Sequence, residues 1–132
     1  MDSAPIIYFL EDHQELAPRF ESLFARADSG SYELVISTVT LIEVLTGPLR
    51  QGDEKLAHAY RQALTSPPAW LVSDLTTRIA HRAARIRGET RLRVPDAVQV
   101  ATALETSCDA LVTHDRDFAA LDKSTQSIAV YC

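Results

Sequence analysis

Apolar residues recur along this chain in two rhythms. Phe20, Leu23, Phe24 and Ala27 stand at i, i+3, i+4 and i+7, which gathers them on one face of a helix, and Gly30 supplies its stop. Leu34-Val35-Ile36 is instead a continuous apolar run, the mark of a strand buried on both faces. The helical rhythm occurs first at Ile6, Ile7, Phe9 and Leu10, where Asp2 or Ser3 supplies a cap and Pro5 suits the first turn. It returns at Val39, Ile42 and Leu45, halted by Gly47-Pro48, and at Leu56, Tyr60 and Leu64, running up to Pro67-Pro68. Asp74 or Thr76 begins another helix through Ile79, Ala83 and Ile86, ended by Gly88, and Ala97, Val100, Ala101 and Leu104 give an amphipathic one. Short runs at Trp70-Leu71-Val72, Ala110-Leu111-Val112 and Ile128-Ala129-Val130 predict further strands.

Apolar runs alternating with helices imply an α/β fold, a central parallel sheet with helices on both faces. No repeat, low-complexity tract or linker divides the chain, so residues 1–132 read as a single domain. The start departs from this scheme. Asp2 looks like a residue just past a strand end, yet only Met1 precedes it. The expectation is an α/β sheet whose first strand is missing or truncated.

Composition excludes several function classes. A length of 132 residues gives one domain with a real core, and 46% hydrophobic with 23% charged residues is ordinary for a globular protein. The net charge of −5 rules out a protein coated in basic patches, so any nucleic-acid contact must be local. Two cysteines, Cys108 and Cys132, form neither a disulfide framework nor a zinc-ligand spacing, which fits a reducing cytosol. No apolar run approaches the ~20 residues of a membrane span. Glycine-rich phosphate cradles are absent, and His13, His58, His81 and His114 show no metal-pair spacing.

Acidic residues carry the candidate chemistry. Asp115 follows the expected strand at 110–113 by two residues, the strand end at which open parallel sheets place their sites. An Asx turn explains it equally well. Asp96 opens a helix, where the macrodipole favours an acid whether or not it binds anything. Asp117 is either a second ligand or a cap for the turn from Phe118 to Leu121. Glu43 interrupts an apolar stripe, and glutamates are rarely buried unless paired or bound to a cation. Carboxylates that repel one another converge only around positive charge, usually a divalent metal.

Positive charge is concentrated between Arg78 and Arg93, where Arg78, Arg82, Arg85, Arg87, Arg91 and Arg93 face the single acid Glu89. Arg78, Arg82 and Arg85 share a helical face. Three readings stand: a salt-sensitive rim tracking phosphates, with Arg82 and Arg85 at its centre; an ordinary solvated face; or a dock for an acidic partner segment.

Taken together, four segments resemble the PIN domain, in particular the small VapC-type ribonuclease toxins. They are Asp2-Ser3-Ala4-Pro5-Ile6-Ile7-Tyr8; Ser37-Thr38-Val39-Thr40-Leu41-Ile42-Glu43-Val44; Arg93-Val94-Pro95-Asp96-Ala97 continuing to Ala101-Thr102-Ala103; and Leu111-Val112-Thr113-His114-Asp115-Arg116-Asp117-Phe118. Each segment alone is a weak signal; four in this order at this spacing are a strong one. The resemblance implies a PIN-like three-layer α/β/α fold and a Mg²⁺- or Mn²⁺-dependent endoribonuclease, the toxin of a toxin–antitoxin pair. Asp2, Glu43, Asp96 and Asp115 would be direct or water-mediated metal ligands, with Asp117 assisting. Thr113 would hold the fourth segment in place, and Ser3 would lie near the scissile phosphate. RNA as substrate, an antitoxin protein as partner, a homodimer and a cytoplasmic setting are implied with it. The alternative is a catalytically inactive PIN-like module binding RNA or protein. A receiver-like signalling domain ranks last, because Lys123 is poorly placed for the lysine it would need.

Overall fold

Four helices begin where a side chain caps them. Asp2 accepts from the Ser3 amide at the start of α1 (Ser3–Leu10), Ser37 from the Val39 amide at α3 (Thr38–Arg50), Asp53 from the Leu56 amide at α4 (Glu54–Leu64), and Thr76 from the Ile79 amide at α5 (Thr77–Glu89). Between and after them lie α2 (Ala17–Asp28), β1 (Leu34–Ser37), β2 (Trp70–Ser73), α6 (Val94–Glu105), β3 (Ala110–Val112) and β4 (Ala129–Tyr131). The computed structural model describes residues 1–66, 69–115, 118 and 121, and the backbone of 129–131. Gly30, at φ +78°, takes the left-handed turn that leads the chain out of α2.

All pairing among the described strands is parallel. β1 runs beside β2 from Leu34 opposite Trp70 to Ser37 opposite Ser73, and β3 beside β4 from Ala110 opposite Ala129 to Val112 opposite Tyr131. The first two residues bridge the pairs: the Met1 nitrogen donates to the Val35 carbonyl at 2.6 Å, and the Asp2 amide to the Val112 carbonyl at 2.9 Å. Among the described residues no strand precedes α1. Helices flank the strands, the three-layer α/β/α arrangement expected. Ile79, Ala83 and Ile86 of α5 pack with α6, Leu111, Phe118 and Leu121; Phe20 and Phe24 of α2 with Leu34; and Ile6 of α1 with Ile36, Val44 and Leu64.

Three expectations need correction. Gly47-Pro48 does not halt α3, which continues to Arg50 with Pro48 buried. Proline forfeits only one amide bond this close to a helix end, and Gly47 has no Cβ to clash with the proline ring. The stripe Val39, Ile42, Leu45 is not the core face either. Ile42 is 65% exposed, and Thr40, Val44 and Pro48 point inward. Finally, α6 is buried from Ala97 through Ala103 on every side rather than along one stripe, because strands and helices enclose it. The last strand is described at Ala129–Tyr131, reaching one residue beyond the expected Val130; Ile128 and Pro67-Pro68 fall outside the described residues.

Candidate functional site

Asp2 is the most firmly held acid of the expected four. It caps α1 and is buried, with Oδ1 accepting from the Ser3 amide at 2.6 Å and Oδ2 from the Thr113 hydroxyl at 2.6 Å. Thr113 is fully buried at the end of β3, and its Oγ1 also accepts the Asp115 amide at 3.0 Å. One hydroxyl thus ties the first acidic segment to the fourth. Asp115 itself is exposed. The Ser3 hydroxyl sits 3.5 Å from Asp2 Oδ1 and helps hold the Glu43 carboxyl down against burial.

Asp96 occupies the first turn of α6, following Pro95, and its Oδ2 accepts the Arg93 amide at 3.2 Å. This is the reciprocal half of a capping box, and the helix dipole favours the negative charge there. Glu43 projects from α3, half-buried, and accepts from Gln99 Nε2 of α6 at 3.4 Å. Gln99 was not anticipated from the sequence. Its signal was there: a lone amide inside the apolar stretch from Ala97 to Ala103, three residues after Asp96 and hence on the same side of the helix.

Electrostatics show that the four acids share one field. Burial pushes the Glu43 carboxyl above its ordinary value, and the charges of Asp2 and Asp96 push further, against the hydrogen bonds from Ser3 and Gln99. Asp96 is likewise raised, first by burial and then by Asp2 and Asp115; the Arg93 amide bond opposes this, and the Arg93 charge opposes it least. Acids from the α1 cap, α3, the first turn of α6 and the loop after β3 therefore lie within electrostatic reach of one another.

This donor set fits a hard divalent cation, since every side chain offered is a carboxylate oxygen and added positive charge would relieve the mutual repulsion. Among the described residues, no three Asp, Glu, His or Cys side chains are grouped so as to hold a metal ion together. Mg²⁺ would be compatible with carboxylates spaced in this way, since it keeps several waters and binds through only a few of them.

Other expected residues fall elsewhere. Arg78 and Arg82 both bind Glu105, at 2.5 and 2.6 Å. Glu105 ends α6, nine residues from Asp96, so this clamp lies ~13 Å along the helix from the acids. Arg85 lines the same α5–α6 groove as Arg82 and Glu105. Asp117 lies outside the described residues.

A family profile described as the PIN domain matches residues 1–124. Two solved structures share the fold. A toxin–antitoxin complex from Klebsiella pneumoniae superposes with a TM-score of 0.70 at 23% identity, covering 97% of this chain and 92% of that one. VapBC2 from Rickettsia felis, bound to a DNA fragment from its promoter, superposes with a TM-score of 0.72 at 13% identity, covering 99% and 96%. No curated protein sequence matched the chain.

Proposed function

The chain belongs to the PIN domain family, and on that premise we propose that it is a divalent-metal-dependent endoribonuclease, the toxin of a toxin–antitoxin pair. The observation that carries this reading is that Glu43 and Asp96 are half-buried with raised carboxyl values, first through burial and then through the nearby charges of Asp2 and, for Asp96, Asp115. Two perturbed acids beside further carboxylates are characteristic of sites built for chemistry.

Asp2, Glu43, Asp96 and Asp115 would hold Mg²⁺ or Mn²⁺, with Asp117 assisting. A bound ion supplies charge neutralisation at the phosphodiester and the leaving oxygen, and acidifies a water. The chain's own contributions are positional. Thr113 fixes Asp2 relative to Asp115, Gln99 and Ser3 orient the Glu43 carboxylate, and the Ser3 hydroxyl stands beside Asp2, where a phosphate oxygen would approach. For RNA tracking, Arg82 is engaged by Glu105, so Arg85 is the arginine assigned to a phosphate rim. Likeness to toxin–antitoxin structures supports an antitoxin partner, and the proposal includes a homodimer acting in the cytoplasm.

The test is RNA cleavage by the purified protein in Mg²⁺ or Mn²⁺. Cleavage that is abolished by excess chelator and by Asp115→Asn is the expected result. Cleavage that survives both contradicts the nuclease mechanism, and tight RNA binding with no cleavage in either metal favours a non-catalytic binding module.

A further inference from the structure

Asp115 reaches the acid cluster from a loop, and that loop is anchored to α1 at two points. The first is the Thr113 hydroxyl, bonded to Asp2 at the start of α1. The second lies six residues along α1, where the Tyr8 hydroxyl meets His114 Nδ1 at 3.1 Å. Either tautomer of the imidazole closes this bond, because a phenol both donates and accepts. The His114 ring also packs edge-on against Tyr8, with centroids 5.4 Å apart and an interplanar angle of 81°. Phe20 of α2 lies beside both rings, 6.4 Å from each.

Two tethers do what one cannot. A single hydrogen bond at Asp2 would leave α1 and the loop free to pivot about it. A second contact about 9 Å further along the helix removes the pivot and fixes the direction in which Asp115 is presented. Buried Phe20 backs the pair from a different helix, so the arrangement is set by the core rather than by solvent-exposed side chains.

We propose that Tyr8 and His114 form a positioning latch that sets the Asp115 carboxylate against Asp2, and through it the affinity for a divalent cation, without either residue touching the ion. The proposal rests on reading the acid cluster as a metal site. Outer partners that orient ligands typically change metal affinity 10–100-fold.

Tyr8→Phe and His114→Phe separate the hydrogen bond from the packing, since both keep a ring in place. Mn²⁺ titration of the purified protein, followed by electron paramagnetic resonance, is expected to show affinity about tenfold weaker in each variant. The double variant should be no weaker than the singles, with the thermal midpoint of the metal-free protein little changed. Excess Mn²⁺ should then restore RNA cleavage in Tyr8→Phe without a change in KM for RNA. Wild-type Mn²⁺ affinity in both single variants overturns the latch. Asp96→Asn serves as the reference: if it binds Mn²⁺ like the wild type, the metal reading itself fails, whereas loss of binding in Asp96→Asn with none in the ring variants removes the latch alone.

Discussion

Helix α6 carries an acid at each end, and the two are treated in opposite ways. Glu105, in the last turn, where the helix dipole disfavours negative charge, is clamped by Arg78 and Arg82. Asp96, in the first turn, has the dipole in its favour, yet its carboxyl is raised because it is half-buried among Asp2 and Asp115. Arg78 and Arg82 of α5 could have balanced such charge, but they serve the end of α6 remote from the acid cluster. An acid that holds two helices together is paired; on the proposed reading, an acid that would take an incoming cation is left mainly in like-charged company. Natural sites commonly sacrifice local stability in this manner.

The contrast is broken most forcefully by substituting at each end. Asp96→Asn is expected to lower metal-dependent RNA cleavage by about 100-fold or more, with circular dichroism unchanged. Glu105→Gln should do the reverse. It releases two arginines and should cost about 1–2 kcal/mol in urea unfolding while leaving cleavage per folded molecule near the wild-type rate. Equal losses of activity at the two ends would erase the distinction.

A smaller effect sharpens it. Glu43 and Asp96 both have raised carboxyl values, so their ionisation opposes folding: the stability they contribute is complete below the ordinary carboxylate range and is lost as pH rises through the raised values. A divalent ion binds the ionised forms, so the rise in thermal midpoint produced by Mn²⁺ should be largest at neutral pH and should shrink as pH falls through those values. A midpoint shift independent of pH would mean that the ion binds elsewhere.

Much of this was legible in the chain itself. Local signals placed the elements well: Asp2 and Thr76, each one of two candidate caps, do cap their helices, and the runs at Leu34 and Ala110 form parallel strands. What failed was what depends on tertiary surroundings. Periodicity put Ile42 inward, whereas packing turned Thr40 and Val44 to the core, and a proline near a helix end was read as a stop. For the site, Asp2 seemed poorly supported because no strand pattern precedes it, yet it is held by the Val112 carbonyl and the Thr113 hydroxyl, contacts 110 or more residues away in sequence. Arg82 matched a phosphate-binding face by helical spacing alone, and nothing local revealed that Glu105 on the next helix would engage it. Gln99 and the Tyr8–His114 pair escaped for the same reason, since each is defined by a partner on another element.

On the proposed reading, the acid cluster is destabilised until a divalent cation enters it. Thermal unfolding of the wild type and Glu43→Gln, with and without Mn²⁺ at neutral pH, tests this most directly. Metal-free Glu43→Gln is expected to be the more stable of the two, by up to about 1 kcal/mol, and Mn²⁺ to raise the midpoint of the wild type far more than that of the variant. A metal-free variant less stable than the wild type, together with an equal response to Mn²⁺, would contradict it.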